Sequence, residues 1–134
     1  MTTKADRVQD YFYRQYDLGE GTAAENIYAL FSEDLVYHLT DGQTVSVAQL
    51  IQVAQSIRQT PKNERIVKVF NFSEDGDTVW FAMHLRAQNP GTETFTELTT
   101  EHEWRFNEAG YVVEVRTQHP EKTSDTFGTL SAAE

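Results

Sequence analysis

Four histidines and six tyrosines, with no cysteine, are the side chains of this 134-residue chain from which neutral-pH proton chemistry can be built. The absence of cysteine removes disulfides, thiolate metal sites and a cysteine nucleophile together. Two of the histidines, His102 and His119, stand in one stretch, EHEWRFNEAGYVVEVRTQH. Its spacing predicts strands over Leu98 to Phe106 and Tyr111 to Gln118, joined by a turn of Asn107, Glu108, Ala109 and Gly110. Alternation places Leu98, Thr100, His102, Trp104 and Phe106 on one face and Glu97, Thr99, Glu101, Glu103 and Arg105 on the other. On the returning strand it groups Tyr111, Val113, Val115, Thr117 and His119. Each strand therefore offers a mostly apolar face with one histidine on it or at its end. An unperturbed imidazole titrates near ~6.5, so it can act as acid or base at neutral pH.

The other two histidines sit on different predicted strands. His38 lies in Leu35 to Leu39, opposite the face of Leu35, Tyr37 and Leu39. His84 lies in Thr78 to Ala87, where Trp80, Ala82, His84 and Arg86 alternate with Val79, Phe81, Met83 and Leu85. Hydrophobicity alone turns the second of these sets inward, and a slip of one residue would reverse it. No His-x-His or His-x-x-x-His spacing preassembles two ligands on one element, so no metal is expected. No Gly-x-Ser-x-Gly motif, phosphate loop or dinucleotide fingerprint is present, which argues against nucleotide-dependent chemistry.

The elements that must position these groups follow from periodicity and local signals. Lys4 to Asp17 reads as a helix with Val8, Tyr11, Phe12, Gln15 and Tyr16 on one stripe, stopped by Gly19 and Gly21. Thr22 and Glu25 form a capping-box pattern before a helix through Ile27, Tyr28, Leu30 and Phe31. Ser46 and Gln49 repeat it before a helix whose buried face carries Val47, Leu50, Ile51, Ala54 and Ile57, with Pro61 beyond its end. Strands are predicted over Ile66 to Phe72, Thr78 to Ala87, Thr94 to Phe106 and Tyr111 to Gln118. Short turns between them make an antiparallel meander, and helices followed by a meander indicate an α+β domain over residues 1–120. Residues 121–134 read as a polar tail. A net charge of −10 with scattered Lys and Arg argues against nucleic acid and anionic membranes. The N-terminus lacks an apolar signal region and the apolar runs are too short to span a bilayer, so a cytoplasmic location is expected.

Three helices, a short strand between the second and third, and a curved meander resemble the cone-shaped nuclear transport factor 2-like fold, and in particular its SnoaL-like polyketide cyclases and ketosteroid isomerases. The stretches LFSEDLVYHL (30–39) and EWRFNEAGYVVEVR (103–116) carry the resemblance. Carried over position by position, the isomerase base falls on Leu39 and the oxyanion aspartate on His102. The helix tyrosine falls on Tyr16 or, allowing for the loop, Gln15, and a pocket aromatic falls on His119. The Trp-His-Asp-Pro frequent in the cyclases is Tyr37-His38-Leu39-Thr40 here, so the acid is missing. Turn counting against the isomerase pattern sends Trp80, His84 and Arg86 inward, against the hydrophobicity argument.

The resemblance thus implies a pocket with His102, His119 and Tyr16 as catalytic candidates, walled by Tyr37, Leu39, Trp80, His84, Leu98, Trp104 and Val115. Base, hydroxyl donor and apolar wall suit cofactor-independent enolisation, cyclisation or dehydration of a small hydrophobic carbonyl compound. The competing expectation is a ligand-binding or dimerising module without catalysis, the sheet surface serving as a homodimer contact. In that case the two histidines are bonded to backbone or to one another.

Overall fold

Hydroxyl caps start the three α-helices of the described residues, and each is a reciprocal capping box. Thr3 with Asp6 opens α1 (Lys4–Phe12), Thr22 with Glu25 opens α2 (Ala23–Tyr28), and Ser46 with Gln49 opens α3 (Val47–Gln59). In each the cap oxygen accepts from an otherwise orphaned amide while the third side chain reaches back to the cap amide. The computed structural model describes residues 2–89 and 91–119, and the tail expected over 121–134 lies outside the described residues.

After Phe12 the first helix widens into a π turn, Tyr13–Leu18, which ends at Gly19 with φ of 62°. That left-handed conformation is one glycine adopts without steric cost. The predicted stripe survives the change of pitch, because Val8, Tyr11, Phe12, Gln15 and Tyr16 are all buried.

Six strands form one curled sheet: β1 (Phe31–His38), β2 (Thr44–Val45), β3 (Ile66–Asp75), β4 (Thr78–Gln88), β5 (Phe95–Phe106) and β6 (Val112–Gln118). Their order is β2-β1-β6-β5-β4-β3. Among the described residues only the β1–β6 pair is parallel, and the rest is antiparallel. The molecule is the expected α+β architecture. Its helices cover one face of the sheet, and the core between them includes Val8, Phe12, Ile27, Phe31, Trp104 and Val112.

Two boundaries differ from the sequence expectation. Phe31 was expected to close the second helix, yet it begins β1, pairs with Val112 and is only 2% exposed. Its neighbour Leu30 accepts a backbone hydrogen bond from Val112 at 2.9 Å. Long-range pairing wins here over helical spacing, which the short apolar run satisfies equally well.

The second difference is one of phase. Phe106 pairs with Val112 but Arg105 pairs with Glu114, leaving Val113 as the extra residue of a bulge. Such an insertion bends a strand and shifts its alternation. Val112 is therefore buried and Tyr111 is exposed, whereas Val115, Thr117 and His119 keep the inward orientation expected for them. A bulge in β3 has the same effect at Asn71, whose φ is 61°. It keeps Phe72 on the inner face, stacked on Phe81 with centroids 5.0 Å apart.

Candidate functional site

The inner face of the sheet and the helices above it enclose a cavity of about 350 Å³. Leu98, Thr100, His102 and Trp104 reach it from β5, Thr117 and His119 from β6 and its end, and Met83 and Leu85 from β4. Tyr37 and Leu39 close it from the β1 side, and Tyr11 and Tyr16 from the first helix. Alternation explains the β5 set directly, since residues two apart share a face. Among the described residues no Asp or Glu lines this cavity.

His102 sits at the centre of a local chain of donors. Its ring is 4% exposed and stacks on Phe81, with centroids 5.0 Å apart and planes 8° from parallel. Trp104 Nε1 donates to His102 Nδ1 at 3.4 Å, and His102 Nε2 lies 2.9 Å from Thr100 Oγ1. Burial pushes its pKa down from 6.5 to about 3, so the ring is neutral near neutral pH. With both nitrogens engaged and so low a basicity, His102 is poorly suited to the role of general base. His119 lies two residues beyond Thr117, the β6 partner of His102, and so continues the same inner face. It too is 4% exposed and lines the cavity.

The tyrosines are held as protonated donors. Burial raises Tyr11 to about 12 against hydrogen bonds from Gln15 and Tyr16, and raises Tyr16 and Tyr37 well above the usual phenol range. Behind them Gln15 is fully buried. Its Oε1 accepts from Arg58 Nη1 at 2.9 Å and from Asn26 Nδ2 at 3.0 Å. Arg58 Nη2 also donates to the carbonyls of Gly19 and Gly21, each at 2.9 Å, tying α3 to the loop that follows the π turn. Gln15, the alternative to Tyr16 as the helix donor, is thus spent on structure.

The hydrophobic argument for β4 prevails. Met83 and Leu85 face the cavity and Phe81 packs against His102, whereas Trp80 and His84 project from the opposite, outer face. They do not line this cavity, contrary to the turn-counting expectation. Trp80 Nε1 donates to Glu103 Oε1 at 3.2 Å. His84 bridges Thr99 Oγ1 and Glu97 Oε2, both at 2.8 Å. That acid–imidazole–hydroxyl line lies on paired central strands whose amides are consumed by the ladder, leaving no backbone donors for an oxyanion. Val115 is also removed from the wall: it faces inward but is completely buried in the core beneath the cavity. His38 lies outside as well, 3.0 Å from Glu114 Oε2, and that carboxylate is held below its usual pKa by His38, Arg116 and Arg105 despite some desolvation.

Thr100 and Thr117 are cavity residues that side-chain reasoning from sequence passed over. Thr117 Oγ1 donates to the His38 carbonyl at 2.8 Å and so fixes the β1–β6 junction. The signal for Thr100 was present, since Thr100, His102 and Trp104 follow one another at a spacing of two on one strand face.

Among the described residues no helix is long and apolar enough to cross a membrane, and no three His, Asp or Glu side chains gather to hold a metal ion. No protein-family model and no curated protein matches the sequence. Solved structures do match. A protein classed as a SnoaL-like polyketide cyclase from Jannaschia sp. CCS1 aligns at 14% identity over 95% of this chain and 92% of its own, with a TM-score of 0.67. IdmH from Streptomyces antibioticus, described as a polyketide cyclase, aligns at 20% identity over 86% of this chain and 90% of its own, with a TM-score of 0.64. The chain has the nuclear transport factor 2-like fold. A nuclear transport factor 2-like protein of unknown function from Burkholderia pseudomallei K96243 aligns at 16% identity over 89% of this chain and 92% of its own, with a TM-score of 0.64. Within nuclear transport factor 2-like proteins one fold serves many ends, so likeness at these identities speaks for architecture and leaves chemistry to the site.

Proposed function

We propose that the protein is a SnoaL-like binder of a small, neutral, mainly apolar carbonyl compound, and that it acts on it by cofactor-independent proton transfer. The observation that carries this reading is the composition of the cavity wall. Hydroxyls of Tyr16, Tyr37 and Thr100 and the imidazole of His119 converge among Leu39, Met83, Leu85 and Leu98, with no carboxylate among the described lining residues. An anionic or cationic ligand would enter without a counter-charge and lose its hydration, which is expensive. A neutral carbonyl oxygen loses little and gains a donor.

In this reading His119 takes the base role first assigned to the histidine pair, and His102 moves to positioning. His119 accepts the proton α to the carbonyl, the C–H electrons form the enolate double bond, and the oxygen gains charge beside a tyrosine or threonine hydroxyl. Reprotonation at carbon by the same imidazole completes the exchange. The neighbours described as polyketide cyclases support carbonyl chemistry of this class.

Deuterium exchange tests it. Wild-type protein in deuterated buffer should bind α-tetralone and exchange its α-protons faster than buffer alone, followed by proton NMR. His119→Ala should keep binding and fall to the buffer rate. Binding without exchange in the wild type favours the second reading, a non-catalytic pocket, and no binding removes both.

The outer sheet face is the proposed contact for a second copy of the chain. It presents Trp80 and Ile66, each 38% exposed, among acidic and basic residues that two-fold pairing can match. Met83, on the opposite face of the same strand, faces the cavity and is no part of this contact. Trp80→Glu should therefore convert a dimer to monomers in sedimentation equilibrium; a wild-type protein that is monomeric at high concentration refutes the contact.

A further inference from the structure

We infer that Thr100 is a polarity-selecting residue of the cavity, its hydroxyl locked as an outward donor to the ligand by the Trp104–His102 pair. This rests on the cavity being a ligand site and names the ligand feature it selects. Hydrogen-bond bookkeeping carries the argument. An indole N–H can only donate, so His102 Nδ1, 3.4 Å from Trp104 Nε1, must accept. A neutral imidazole carries one proton, which then resides on Nε2. Nε2 lies 2.9 Å from Thr100 Oγ1, so this oxygen accepts and its own proton is directed elsewhere.

Among the described residues no other acceptor engages the Thr100 hydroxyl, and Thr100 lines the cavity while being only 6% exposed. The opposite tautomer would set two donors against each other at Nδ1. Phe81, stacked on the ring at 5.0 Å, keeps it in the plane that serves both partners. Burial of His102 adds to this, since a ring that stays neutral keeps Nδ1 free to accept from Trp104, where a second proton would set two donors against each other. The site thus favours a ligand atom that accepts, such as a ketone or quinone oxygen, over a donor-only group at this position. His102 and Trp104 act through Thr100 and are positioning residues.

Paired probes of equal shape test the idea. Tetralin and α-tetralone differ by one carbonyl, and both are titrated calorimetrically into wild type, Thr100→Val and Thr100→Ser. Thr100→Val keeps the side-chain shape without the hydroxyl. Wild type and Thr100→Ser should prefer α-tetralone by about tenfold, the size of one well-placed neutral hydrogen bond. Thr100→Val should bind the two probes equally. A preference that survives Thr100→Val, or none in the wild type while both probes bind, overturns the assignment but leaves the cavity as a ligand site. Failure of both probes to bind counts against the ligand site itself. Nitrogen-15 NMR of the ligand-free protein gives an independent reading: the Nε2–H tautomer of His102 is expected, and an Nδ1–H tautomer overturns the donor relay whatever the probes do.

Discussion

Acidification from pH 6.5 towards pH 3 is expected to cost the fold on the order of 4–5 kcal/mol through His102 alone. The folded ring titrates at about 3 against an ordinary value of 6.5, and each unit of separation corresponds to about 1.4 kcal/mol. The sign follows from proton uptake. Between these two values the unfolded chain binds a proton that the folded one refuses, so stability is complete above about pH 6.5 and falls as pH drops. Glu114 adds a loss of the same sign, but its folded pKa is lowered from 4.5, so that loss begins at lower pH. The interval from pH 6.5 to 5 therefore isolates the histidine. Urea unfolding at pH 7.5, 6.0 and 5.0 should show a decline of about 2 kcal/mol in the wild type that His102→Gln removes. A wild-type curve as flat as that of the variant would mean that the ring is not held neutral.

Trp104→Ala is expected to destabilise the protein by about 3–5 kcal/mol, the range for emptying a buried tryptophan site. The indole is 1% exposed and, besides the His102 ring, touches four others, with centroids 6.2 Å from Tyr11, 5.6 Å from Phe12, 5.0 Å from Phe31 and 5.1 Å from Phe81. Those rings come from the first helix, β1 and β4, so the void cannot close by the movement of one element. Denaturant unfolding measures it, and a loss below about 1 kcal/mol would show that the site collapses freely. Trp104→Phe should lie between the two, retaining most of the packing while releasing His102 Nδ1 to change tautomer.

The fold was legible wherever its cause is local. Capping boxes at Thr22 and Ser46, the Gly19 stop and the meander turns are short-range chemistry, and each stands where the spacing put it. The parallel pairing of β1 with β6 joins residues some eighty apart and leaves no such trace, so helical spacing alone claims Phe31 for α2. Bulges at Val113 and Asn71 were equally silent, because they depend on how two strands meet. For the site, the inner face of β5 followed from alternation, and His102, His119, Tyr16, Tyr37, Leu39, Leu98 and Trp104 all meet at one cavity. Trp80 and His84 failed because a turn count borrowed from another family was set against the apolar residues of this one. The position of His102 was legible, but not the bonds from its two nitrogens to partners two residues either way.

The π turn of Tyr13–Leu18 makes the roof of the cavity depend on chain length as well as on residue identity. Successive α-helical residues are about 100° apart around the axis. Loss of one residue from this segment would return it to α pitch, leaving the flanking parts in phase while shifting the residues within the turn by one position. An amide or a solvent-facing side chain would then stand where the Tyr16 hydroxyl now points, with no substitution at position 16. Insertions and deletions in this one turn are thus a route by which the same scaffold exchanges its donor in a single step.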